Sequence, residues 1–285
     1  MLMHILSPVT GDDAAAHVPL CALNLAQRLK AHVTAGFAES PEFAYAPVLG
    51  LGLAAPVAGE FFSVMLKARA DRRQAARRQF DAAVAQTKTP IATRPLCAQA
   101  TTEWLDGADA DGDPVWAVGP LADLAVVNAP GNRRSGDWKV IEDVVFGVRR
   151  PALVVPAGHT DVSFKHPLIA WNGSVQAANA VRGALDLFES GSRITVLQAG
   201  NLVTGGISAA RLTDGLGWHC FEAAAHHIPD PAHQTGTLIL EQAKALGSTV
   251  IVLGAYSHSR TRELIFGGVT DFLLRETTLP LLLAH

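Results

Sequence analysis

Two clusters of residues have the types and spacing to hold an anion. The first is Asn172-Gly173-Ser174, directly after an apolar run at Leu168-Ile169-Ala170. The second follows the apolar run Thr249 to Leu253 and extends from Gly254 through Ser257, His258, Ser259 and Arg260 to Gly267, Gly268, Val269 and Thr270. Glycines in such a loop let backbone amides approach a phosphate closely, and a helix starting near Gly267 adds the partial positive charge of its N-terminus. Arg260 and Arg262 supply charge-assisted donors, and Ser257 and Ser259 supply hydroxyls. Asn172 offers both a carbonyl acceptor and an amide donor, and no charge.

Other chemistries find less support. There is no GxSxG elbow and no GxxxxGK[ST] phosphate loop, so no nucleophile–base set is nominated and turnover is not expected. His226, His227 and His233 do not form an HxxxH or HExxH pair, which argues against a metal. Lys67, Arg69, Arg72, Arg73, Arg77 and Arg78 are spaced as the solvated face of a helix that also carries Phe61, Met65 and Phe80. A net charge of −3 argues against a nucleic-acid partner.

The elements that must position the two clusters are legible in the hydrophobic pattern. In the second half strands fit near 167–171, 193–199, 218–227, 249–254 and 280–284, and helices near 175–189, 205–215, 233–246 and 267–277. Strands alternating with helices make βαβ units, and runs as apolar as Val250 to Leu253 suit strands buried on both faces of a parallel sheet. Ligands on such sheets sit beyond the carboxyl ends of the strands, where both clusters fall.

The chain also repeats. Ile5 to Gly11 can be laid over Leu168 to Gly173, and Gly11 to Val33 and Gly173 to Thr195 are each 22 residues apart. Pro151-Ala-Leu-Val-Val closes the first half as Pro280-Leu-Leu-Leu-Ala closes the second. The expected division is 1–156, with a Pro/Gly-rich insertion near 39–60 and a long helix over 60–86, then a linker over 157–165, then 166–285. The closing strands Ala152–Val155 and Leu281–Ala284 are too apolar to remain exposed edges and are expected to pair with each other. Cys220 reads as a packed strand residue.

Gly254-x2-Ser257-x9-Gly267-Gly268 resembles the G-x2-G-x9-G-[S/T] signature of universal stress proteins, and the whole chain resembles a tandem bacterial member. The resemblance implies an α/β fold of two tandem, open, parallel five-stranded sheets flanked by helices, of the adenine nucleotide alpha hydrolase-like type with strand order 3-2-1-4-5. It implies a stress-response protein holding ATP, with Mg²⁺, in the second half. Ser257 stands at the family's middle glycine, Gly268 at its closing Ser/Thr, and Asn172 at its Asp. In the first half the Asp position is Thr10, Asn128 stands opposite Gly254, and Trp138-Lys139 stand opposite Gly267-Gly268, so no nucleotide is expected there. The competing expectation is an interaction scaffold whose loop is a remnant.

Three cysteines without CxxC spacing suit a reducing cytoplasm, and Phe43 to Ala58, broken by Pro47 and Pro56, is too short to span a bilayer. No membrane partner is therefore expected. Self-association through 43–66 is a further expectation.

Overall fold

The computed structural model describes residues 3–39, 55–94, 96, 98–106, 113–131, 136–230, 232, 234–255 and 268–285. Ten strands form one sheet. In chain order they are β1 (His4–Val9), β2 (His32–Phe37), β3 (Thr101–Leu105), β4 (Leu124–Asn128), β5 (Ala152–Val155), β6 (Pro167–Ala170), β7 (Arg193–Ala199), β8 (Glu222–Ile228), β9 (Val250–Gly254) and β10 (Leu281–Ala284). Their spatial order is β3-β2-β1-β4-β5-β10-β9-β6-β7-β8. Each half thus reads 3-2-1-4-5, and the halves are joined edge to edge.

All pairings are parallel except the central one. There β5 and β10 run antiparallel, with Leu281 opposite Val154, Leu282 opposite Leu153 and Leu283 opposite Ala152. Parallel strands require crossovers, and these are α1 (Val18–Leu29), α2 (Ala55–Thr87), α3 (Pro114–Ala117), α4 (Gly136–Glu142), α5 (Val175–Ala184), α6 (Ala209–Trp218), α7 (Thr235–Ala245) and α8 (Gly268–Glu276). Among the described residues no helix is long and apolar enough to cross a membrane.

Each strand is buried on both faces at the centre of the sheet, so its alternate residues enter different cores. One core combines α1, α5 and α6 with Leu153, Val155, Leu282 and Ala284. The other combines α4, α7 and α8 with Ala152, Val154, Leu281 and Leu283. Both cores run across the β5–β10 junction, and across it the Arg275 guanidinium lies 5.8 Å from the Trp138 ring.

Local chemistry sets the helix ends. Ser174 caps α5 by accepting from the Ala177 amide at 3.1 Å, and Ser208 caps α6 by accepting from Arg211 at 3.2 Å. Several boundaries differ from the periodicity. The 205–215 helix begins only at Ala209, because residues before Ser208 belong to a loop folded against Gly173. Helix α5 ends at Ala184, short of 189. The strand expected over 218–227 starts at Glu222: Trp218 still ends α6, and Cys220 turns the chain with φ 63°. Cys220 is exposed in that turn, which corrects the expectation of a packed strand residue. The basic helix α2 is not merely a solvated face. Arg72 pairs with Asp12 at 3.6 Å, and Arg77 pairs with Asp81 at 2.9 Å while lying 5.6 Å from the Trp104 ring.

Leu153 and Leu282 are fully buried opposite each other at the junction. Truncating either to Ala is expected to cost about 2–5 kcal/mol. Urea unfolding should show the double variant less destabilised than the sum, because the two share one cavity.

A polar cluster occupies the other end of the first half. His4 bonds Thr34 at 2.9 Å, Thr34 donates to Glu103 at 3.0 Å, and His32 bonds Thr101 at 2.8 Å. Burial, and the His32 ring beside it, hold the His4 imidazole below its ordinary value of 6.5, although Asp123 and Glu103 oppose this. The folded state therefore favours neutral His4. Its contribution to stability is complete above pH 6.5 and is lost as the pH falls through 6.5 toward the lower folded value. Urea midpoints measured across this range should fall on acidification, and His4→Gln should make that dependence shallower.

Candidate functional site

The structure brings Asn172, Gly173, Ser174 and Gly254 together. β6 and β9 are adjacent and parallel, so their carboxyl ends open side by side. Gly254 abuts the first turn of α5: a β-carbon there would come 2.5 Å from the Gln176 carbonyl carbon and closer still to the Ala177 nitrogen. Gly268, Val269 and Thr270 form the start of α8. A β-carbon on Gly268 would meet nothing within 4 Å among the described residues, Val269 packs against the core on its side of the sheet, and Thr270 is buried. Ser257, His258, Ser259, Arg260 and Gly267 lie outside the described residues.

The groups of the first loop are already engaged. Asn172 Oδ1 accepts from the Ser174 amide at 3.1 Å, closing a turn on its own chain. The backbone carbonyl of Asn172 accepts from Val203 N at 2.9 Å, and that of Gly173 accepts from Ile207 N at 3.2 Å. Trp171, whose ring is buried, donates its indole N–H to the Ile207 carbonyl at 2.8 Å. Gly173 has φ +79°, and a β-carbon on it would come 2.9 Å from the Ile207 backbone. The loop after β7 is thus seated on the loop after β6. The sequence pattern assigns no role to Trp171 and places 205–207 at the start of a helix, although the adjacent pair Gly205-Gly206 is a signal for a turn.

The first half repeats this arrangement with a different partner. Gly11 has φ +71°, and a β-carbon there would strike the Arg72 carbonyl of α2 and come 3.1 Å from the Ala76 nitrogen. Gln79 of α2 also donates to the Asp12 carbonyl at 3.0 Å. Here a helix, rather than a loop, sits on the turn after the first strand. Both glycines share one role, the close approach of the element that follows the second strand of the half.

After the fourth strand the two halves differ in the residues they present. Asn128, at the end of β4, donates from its amide to Asp137 Oδ2 at 3.1 Å, and both residues are buried. A buried carboxylate therefore stands beside the cleft of the first half. Thr10 is buried there too, and its hydroxyl has no hydrogen-bond partner among the described residues. In the second half the corresponding positions are Gly254 and the start of α8, where Asp271 pairs with Arg275 at 3.0 Å. Among the described residues no group of three His, Cys, Asp or Glu is disposed to hold a metal ion.

Neither a family model nor a curated relative matches the sequence. Solved structures do match. A universal stress protein from Archaeoglobus fulgidus superposes with a TM-score of 0.64 at 14% identity, covering 99% of this chain and 95% of that one. The fold is that of the universal stress proteins. A Pseudomonas aeruginosa protein described as a candidate universal stress protein shares this universal-stress fold with a TM-score of 0.53 at 15% identity, covering 99% of this chain and 93% of that one. A functionally unknown P. aeruginosa protein superposes with a TM-score of 0.50 at 12% identity, covering 99% and 92%.

Replacing Gly173 by Ala adds a methyl group where φ is left-handed and the Ile207 backbone is in contact. The expected loss is on the order of 2–3 kcal/mol in urea unfolding. Limited proteolysis of the folded variant should cut faster between Asn201 and Ser208 than in the parent.

Proposed function

We propose that the chain is a tandem universal stress protein of the cytoplasm that holds an adenine nucleotide in its second half and does not turn it over. ATP, arriving with its Mg²⁺, would lie across the ends of β6 and β9 with its phosphates toward the first turn of α8. The observation that carries this reading is Gly268. It begins α8 at an exposed position, and among the described residues a β-carbon built there meets nothing within 4 Å, which supports the approach of an anion to this helix start. The Asn128–Asp137 hydrogen bond supports confining the nucleotide to the second half, because Asn128 stands opposite Gly254 and places a bonded, buried side chain where backbone would have to approach a phosphate. The overall fold, shared along the full chain with universal stress proteins, supports the family assignment.

A second reading has its own observation. The 203–207 loop and the turn made by Asn172 Oδ1 occupy groups that would otherwise face a nucleoside, which favours a scaffold without nucleotide.

Calorimetric titration of ATP with Mg²⁺ separates the two. Saturable binding is expected, and Gly268→Glu should abolish it without lowering the melting temperature, since a β-carbon at this exposed position meets nothing among the described residues. Gly268→Ser restores a hydroxyl and should tighten binding by about 1 kcal/mol, roughly fivefold. Absence of heat at millimolar ATP in the parent protein selects the scaffold.

A further inference from the structure

The antiparallel junction relates the halves by an approximate two-fold rotation. Pro280 before β10 corresponds to Pro151 before β5, and α5 corresponds to α1. Each side of the junction should therefore present a similar groove, between the first helix of one half and the turn leading into the last strand of the other. On one side the chain itself fills it. Residues 156–164 leave β5 as an irregular segment: Asn24 of α1 donates to the Thr160 carbonyl at 2.8 Å, and His159 bonds the Thr278 carbonyl at 2.9 Å. Arg28 donates to the Val162 carbonyl and pairs with Asp161 at 3.3 Å, and the segment buries Val162 and Phe164.

On the opposite side, between α5 and Arg149–Pro151, the corresponding position is an open groove of about 620 Å³. Its walls are held close: a β-carbon on Gly183 of α5 would come 2.7 Å from the Pro151 ring. Its lining combines Arg149, Arg150 and Arg182 with Asn179 and two acids, Asp123 and Asp186. The Arg150 guanidinium is anchored on the Pro120 carbonyl, while its Nε is buried with no hydrogen-bond partner among the described residues. Arg149 and Arg182 are exposed at the rim. Guanidinium and amide donors suit peptide carbonyls, and the arginines suit a side-chain carboxylate. Arg28 and Asp161 already make that last contact on the filled side.

We propose that this groove binds a short irregular peptide of a partner protein, carrying an Asp or Glu, in the way that residues 156–164 lie on the opposite side. A preformed groove lowers the ordering cost of such binding. The probe is a fluorescein-labelled peptide with the sequence of residues 156–164, Pro-Ala-Gly-His-Thr-Asp-Val-Ser-Phe, titrated with the full chain and followed by anisotropy. Saturable binding is expected. It should weaken by about tenfold or more when Arg149→Glu is combined with Arg182→Glu, and similarly when the Asp of the peptide is replaced by Asn. Arg182→Gln alone, a milder surface change, should weaken it in the same direction with an unaltered melting temperature. The proposal is overturned by absence of saturation, by binding indifferent to the arginine variants, or by complete displacement with inorganic phosphate, which would make the groove a small-anion site.

Discussion

The pairing of β5 with β10 is the constraint from which the rest follows. Taken alone, each five-stranded unit would end in a four-residue strand made wholly of buried apolar residues. Such an edge cannot be left in water without inviting association. Joining the two edges satisfies the backbone of both and sets the halves in opposite directions, which is why the two cores continue across the junction and why α4 and α8 meet there. The outer edge at β8 contrasts sharply, since this strand is exposed along most of its length and carries Glu222, His226 and His227.

Much of this architecture was legible in the residues. Runs such as Val250 to Leu253 announced strands buried on both faces, and the matched distance from Gly11 to Val33 and from Gly173 to Thr195 announced the repeat. The strand order was not legible from periodicity and rested on the family resemblance alone. Where the local reading failed, tertiary contacts overrode it. Gly205 and Gly206 sit in what looked like a helix because the chain there closes over Gly173, and Cys220 turns outward because α6 ends one residue before His219.

The candidate site was legible as positions but not as contacts. Asn172, Gly173, Ser174 and Gly254 converge because two parallel neighbours end side by side. Nothing in a linear pattern shows that Gly173 receives the backbone of another loop, or that Asp137 turns its carboxylate toward Asn128 nine positions away. The glycines that resembled phosphate-binding residues thus divide into two groups. Gly173 and Gly254 serve backbone packing, whereas Gly268 is exposed and has no close neighbour among the described residues.

The segment over 156–164 has a consequence for how the molecule can change over generations. By tethering two similar modules it replaces an encounter between separate molecules with an internal one, at an effective concentration on the order of millimolar for a short linker. Neither module then needs to match a copy of itself. Without a self-matching requirement, a helix as long as α2 on one side and a loop on the other are equally admissible answers to the same packing problem.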